Sequence, residues 1–215
     1  MHIFAFIMKQ IFHKKNQKNQ IYIWKITSSS NLLIKNPLLN SAELISAEII
    51  KNEKRKQEFL ASRIALKKIF NKELVLKHHK SGKPFIEESE HLSISHSSDF
   101  LALAFGEENI GIDIEKPQNT MVKLMPKILS EIEFMEFKKE PSIDLACKLW
   151  GAKESILKYV GDKNLNYKED IKVNTTSLDT AKYLKMNFKV EFEKIENMIL
   201  AYVLRSDKQN KVSHH

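Results

Sequence analysis

Residues 109–117 read NIGIDIEKP, a glycine followed by alternating isoleucines and carboxylates and closed by a proline. The alternation predicts a short β-strand, which Pro117 ends because proline cannot donate to a ladder. In a strand, Asp113 and Glu115 leave one face about 7 Å apart, while Ile112 and Ile114 leave the other. Two carboxylates this close repel and raise each other's pKa unless a cation intervenes. A hard divalent ion such as magnesium suits them, since it takes one or two carboxylates and leaves its other positions to water and phosphate. Taken alone, the pair is better read as the polar outer face of an edge strand.

Working outward, β-branched and aromatic IYIWKIT (21–27) predicts a first strand, and residues 41–70 predict a long helical stretch with Phe59, Leu60, Ile64, Leu66 and Ile69 near helical spacing. HHKSGKPF (78–85) reads as a Gly- and Pro-containing loop, followed by strand candidates at 91–95, 100–105 and 110–115. Helical patterns return at about 121–138 and 142–160, GDKN (161–164) breaks the second, and the remainder reads as strands, with 198–205 among the clearest. Strand, long helix, loop and antiparallel strands thus occur twice. That order favours an α+β fold of two similar halves over a doubly wound parallel sheet. No glycine-rich nucleotide loop is present.

The bulk composition is that of a soluble globular chain. Its 215 residues are 42% hydrophobic and 29% charged, close to globular averages. The apolar start, MHIFAFIMKQ, is interrupted by Lys9 and lacks a small-residue cleavage pattern, so a poorly ordered or docking extension is expected there rather than a signal peptide. No later apolar run approaches the roughly 20 residues of a spanning helix. The single Cys147 excludes an intrachain disulfide and a cysteine-rich zinc site, and fits a reducing cytoplasm. A net charge of +8 attracts acidic partners: nucleic acid, a phosphorylated cofactor or an acidic protein. A base-stacking RNA platform is disfavoured, because the aromatics are not interleaved with the basic runs.

Two further stretches carry candidate chemistry. In LWGAKESILKYVG (149–161), Glu154 and Lys158 share a helical face with Trp150 one turn before them. By itself this is a common surface pairing. In HLSISHSSDF (91–100), His96 ends an alternating strand among Ser93, Ser95, Ser97 and Ser98, where it could donate to an anion.

Together and in order, SGKPFI, LSISHS, GIDIEKP and WGAKESILKYVG closely resemble the successive motifs of the 4'-phosphopantetheinyl transferase family, in its larger pseudo-dimeric class of the surfactin-synthetase-activating type. The resemblance covers about residues 20–205. It implies two similar α/β halves related by pseudo-twofold symmetry, with coenzyme A between them as co-substrate. It implies transfer of the 4'-phosphopantetheine arm to a serine of an apo acyl or peptidyl carrier protein, with release of 3',5'-ADP. Magnesium would lie on Asp113, Glu115 and Glu154; Glu154 would be the general base, and Lys158 would stabilise or protonate the leaving phosphate. Coenzyme A contacts fall on Lys54, Lys83, Ser95, His96, Asp113 and Lys158, with Arg55, His78 and Lys153 more loosely matched. Arg63 matches a recurrent arginine expected to tie its helix to the loop before the SHS strand.

The implied division is an N-terminal extension (1–20), a first half (21–108) with the coenzyme contacts, a second half (109–207) with the magnesium site and catalytic helix, and a tail (208–215). A cytoplasmic monomer meeting an acidic carrier transiently, with neither nucleic acid nor membrane as partner, completes the expectation. A non-enzymatic basic protein binding RNA or an acidic partner is the alternative.

Overall fold

The computed structural model describes residues 7–89, 91–162 and 164–206. The first part of the chain runs β1 (Met8–Lys15), β2 (Asn19–Ile26), α1 (Ser30–Leu33), α2 (Ser41–Ile49), α3 (Glu53–Phe70), β3 (Lys77–His78), β4 (Pro84–Phe85), β5 (His91–Ser97) and β6 (Phe100–Gly106). The second runs β7 (Gly111–Glu115), α4 (Asn119–Ile128), α5 (Glu131–Phe137), α6 (Ile143–Val160), β8 (Ile171–Val173), β9 (Thr180–Tyr183), β10 (Met186–Ile195) and β11 (Met198–Arg205). Two larger antiparallel sheets result, ordered β1-β2-β6-β5 and β7-β11-β10-β9-β8, and β3 and β4 pair as a small separate ribbon, with helices grouped between strands as a mixed α/β fold requires. Among the described residues no helix is long and apolar enough to cross a membrane.

Each sheet buries one face against helices. Leu60, Ile64, Ala65 and Leu66 of α3 pack with Trp24, Leu92, Leu101 and Leu103, while Leu149, Ala152 and Ile156 of α6 pack with Phe188, Val190 and Val203. A third apolar cluster lies between the sheets and contains Ile21, Ile23, Phe100, Ile110, Ile112, Ile114, Met198 and Leu200. Ile112 and Ile114 are fully buried in it, so the face of β7 opposite the carboxylates is core. Asp113 on the other face is itself only 3% exposed, so β7, although an edge strand, does not turn this carboxylate to open solvent.

Three elements depart from their sequence-based readings. Residues 8–15, expected to belong to an extension, form β1, paired antiparallel with β2 through a register irregularity between Gln10 and Phe12. Its outer face carries exposed lysines, the charged residues an edge strand uses to discourage further pairing, which is why its pattern did not read as a strand. The stretch 41–70 is two helices. Ile50 turns extended, and the Asn52 side chain restarts the helix by accepting from the Arg55 amide. Residues 121–138 divide in the same way, because Leu129 is extended and Ser130 forms a capping box with Glu133.

Candidate active site between the two sheets

The edge strands β5 and β7 run side by side and parallel, and serine side chains bridge them. Ser93 Oγ accepts from the Ile112 amide at 3.1 Å and Ser95 Oγ from the Ile114 amide at 3.2 Å. Ser95 Oγ donates to Asp113 Oδ1 and Ser97 Oγ to Glu115 Oε2, each at 2.8 Å. Alternate residues of the SISHS strand therefore stitch the two sheets together along the strand that carries the carboxylates.

Helix α6 lies close on β7 because two glycines permit it. A Cβ on Gly111 would fall 1.9 Å from the Ser155 carbonyl oxygen, and one on Gly151 3.0 Å from the Ala201 Cβ. The glycine of GIDIE is thus required by helix-on-strand approach. Ser142 caps the start of α6, and Gly161, at φ 74°, ends it in the left-handed conformation. The face carrying Trp150, Glu154 and Lys158 at intervals of one turn is then presented to Asp113 and Glu115.

Asp113 is 3% exposed. Its Oδ1 accepts from Lys158 Nζ at 2.7 Å and from Ser95, while Oδ2 is buried without a hydrogen-bond partner among the described residues and lies toward Gly151. Burial first, and then the Asp113 charge, push the Glu115 carboxyl above its ordinary pKa; hydrogen bonds from Ser97 and Trp150 partly offset this. Glu154 is raised chiefly by burial and further by Asp113, against the opposing hydrogen bond from the Tyr167 hydroxyl. Among the described residues no three His, Cys, Asp or Glu side chains converge as a ready metal cluster. The donor set nevertheless fits a hard cation. Three neighbouring carboxylates, two of them resisting ionisation and one with an orphaned buried oxygen, are short of positive charge, and Lys158 supplies only one.

A cleft of about 400 Å³ opens beside this group, lined from one side by Ser81, Gly82, Lys83 and Ser93 and from the other by Lys158, Gly161 and Tyr167. Lys83 donates to the Tyr159 carbonyl at 2.9 Å and to Asn109 Oδ1, and burial lowers its pKa to about 8. A half-buried ammonium held by neutral oxygens is a natural counter-ion for phosphate. A larger hollow of about 840 Å³ lies among Ser130, Glu136, Lys168 and Thr176, away from the three carboxylates.

The remaining expected contacts divide. His96 is neutral, since burial first, and then Lys158 and Lys54, lower its pKa to about 3. Its ring donates to the Glu58 carbonyl, and its buried Nε2 has no partner among the described residues. The cationic donor expected there is instead an acceptor in the absence of an anion. Lys54 is exposed and donates to the Ser98 carbonyl across from the first turn of α3; Arg55 beside it is exposed. Arg63 stacks on Phe59 with Cζ 3.3 Å from the ring centroid and bonds the Phe59 carbonyl, burial lowering its pKa to about 10. It neighbours His78, whose pKa is lowered by burial and then by that guanidinium.

Two of the expected contact residues are engaged with other partners in this structure. Ser95 uses its one proton on Asp113 and accepts from both Lys158 and the Ile114 amide, so its hydroxyl has no capacity left for a phosphate unless a partner lets go. Lys153, expected on the cleft rim, is fully buried, and its three donors reach Glu133 Oε2 (3.0 Å), the Tyr167 carbonyl (2.8 Å) and the Ile171 carbonyl (2.7 Å). It braces α6 against α5 and the segment leading to β8. Tyr167, Asn109 and the bridging role of the serines were missed. Tyr167 lies in an irregular turn beyond α6, where no periodicity marks it.

Fold and site define a two-sheet α/β protein whose inter-sheet cleft sets a lysine-paired aspartate and two glutamates beside an uncompensated lysine. Residues 109–203 match the family model of the 4'-phosphopantetheinyl transferase superfamily. The chain is 30% identical over 94 residues to the 4'-phosphopantetheinyl transferase gsp of Aneurinibacillus migulanus, covering 42% of this chain and 40% of that protein. It is 34% identical over 85 residues to the 4'-phosphopantetheinyl transferase Sfp of Bacillus subtilis (strain 168), covering 37% and 38%. The matched stretch thus spans about two fifths of the length of these curated relatives.

Proposed function

We propose that the protein transfers the 4'-phosphopantetheine arm of coenzyme A to a serine of an apo acyl or peptidyl carrier protein. The observation that carries this reading is the Asp113–Lys158 pair at the mouth of a cleft whose opposite wall supplies Lys83. In the reaction the serine oxygen attacks the β-phosphorus of the coenzyme's pyrophosphate. The bond from that phosphorus to the bridging oxygen breaks, and 3',5'-ADP leaves.

Glu154 takes the serine proton; burial raises its pKa above the ordinary carboxylate value, which makes the ionised carboxylate a stronger base. Lys158 stabilises the departing phosphate by charge and hydrogen bonding, which a carboxylate could not do. Lys83 binds coenzyme phosphate from the other wall. The Lys54 charge reaches His96 at the end of β5, where an arriving phosphate would raise the affinity of the imidazole for a proton. Asp113, Glu115 and Glu154 would hold magnesium, which when bound neutralises pyrophosphate oxygens as a Lewis acid.

The pseudo-twofold relation between halves, the acidic character of the carrier, the cytoplasmic setting and the monomeric state belong to the same proposal. The alternative, a non-enzymatic basic protein binding RNA or an acidic partner, is not favoured, since it gives no role to the buried Asp113, its partner Lys158 and the two glutamates beside the cleft.

Incubation with an apo carrier protein, coenzyme A and magnesium tests the reading: mass spectrometry of the carrier should show a gain of ~340 Da, the mass of the phosphopantetheine arm. No gain across several acyl and peptidyl carriers overturns it.

A further inference from the structure

Tyr167 is tied to the site at three points. Its hydroxyl donates to Glu154 Oε1, and its ring stacks on Trp150 with centroids 5.7 Å apart. Its backbone carbonyl accepts from the buried Lys153 at 2.8 Å, which also bonds the Ile171 carbonyl and Glu133. Trp150 in turn donates to Glu115. The two glutamates, one from a helix and one from a strand, are therefore joined through a stacked aromatic pair whose far end is anchored to the second half's core. Long carboxylate side chains have several rotamers to lose when held in one geometry, and hydrogen bonds from fixed donors remove that freedom in advance.

We infer that Tyr167 is a positioning residue that holds Glu154 directly, and Glu115 through Trp150, in the arrangement that receives a divalent cation. This rests on the transferase reading for its use and on the contacts just described for its geometry. Tyr167 also lines the cleft, so the same ring forms part of the wall against which a bound substrate would lie.

The test is Tyr167→Phe, which keeps the stacking ring and removes only the hydroxyl. Magnesium is titrated against the full chain without coenzyme or carrier, and half-saturation is read from the rise in Tm and from tryptophan emission, to which Trp150 contributes. Transfer kinetics are measured separately. The expected result is a half-saturating magnesium concentration about tenfold higher, a size usual for outer-shell ligand partners, with KM for coenzyme A changed less than about twofold. Tyr167→Leu, which also removes the stack, should weaken magnesium further and alter tryptophan emission in the absence of metal.

An unchanged half-saturation in Tyr167→Phe, with transfer intact in the parent, overturns the role of Tyr167 and leaves the transferase reading standing. A parent that modifies no carrier, yet loses magnesium affinity on this substitution, sinks the transferase reading and keeps the positioning role. A parent in which neither signal responds to magnesium overturns the positioning role as well.

Discussion

Lys158 Nζ lies 2.7 Å from Asp113 Oδ1, joining the last turn of α6 to the middle of β7. The aspartate is almost wholly buried and the lysine's side chain is 25% exposed, so the pair spans the boundary between core and cleft. Removing one partner leaves a buried charge without compensation, which costs far more than the net worth of the pair. Lys158→Ala is expected to destabilise the protein by about 3 kcal/mol and to abolish transfer. The double substitution Lys158→Ala/Asp113→Ala should lose less stability than Lys158→Ala alone. Denaturant unfolding of the parent, Lys158→Ala, Asp113→Ala and the double variant gives the coupling, and additive losses would show that the pair contributes no interaction of its own.

Glu154 carries the opposite balance. Its pKa is raised in the folded protein, so the fold favours its protonated form; the associated stability is present below the unfolded-state pKa and lost as pH rises through the folded value. Glu154→Gln removes the buried charge while its amide oxygen still accepts from Tyr167. The variant should gain about 0.5–2 kcal/mol at neutral pH, with a flatter dependence of Tm on pH between mildly acidic and neutral conditions. It should also lose transfer activity by at least about a hundredfold. A variant less stable than the parent at neutral pH would contradict the burial cost.

Lys83 sets a pH dependence of binding. Its pKa is lowered to about 8, so the ammonium form that attracts phosphate prevails below that value and gives way to the neutral amine above it. Affinity for coenzyme A should fall as pH rises through about 8, although the bound phosphate will move the midpoint upward in the complex. Lys83→Arg, which keeps its charge, should flatten this fall, and Lys83→Ala should weaken binding at neutral pH. Calorimetric titrations across the range would show it; a parent affinity constant from neutral to alkaline pH would remove Lys83 from phosphate recognition.

Gly111 tests the close approach of α6. A Cβ there meets the Ser155 carbonyl at 1.9 Å, a backbone atom that cannot swing aside. Gly111→Ala should cost about 3 kcal/mol and displace the helix that carries Glu154 and Lys158, lowering activity along with Tm. A variant with parental Tm would show that helix and strand have room between them.

The strands around β7 and the helix at 143–160 could be read locally, because alternation and helical spacing are properties of neighbouring residues. The breaks at Ile50 and Leu129 were missed although their caps, Asn52 and Ser130, stand in the sequence; continuous apolar spacing outweighed them. Residues 8–15 were missed because an edge strand with three lysines among its eight residues has the composition of a tail until a partner strand is known.

The residue types themselves determined that two carboxylates share a face of one strand, that Glu154 and Lys158 share a face of one helix, and that cations are plentiful. Only the tertiary structure decided what meets what. It placed α6 against β7 through Gly111 and Gly151, paired Lys158 with Asp113, turned Lys153 into the core and occupied Ser95 in bracing the sheets. Periodicity fixes the direction of a side chain relative to its own element, whereas its partners depend on how elements from distant parts of the chain pack.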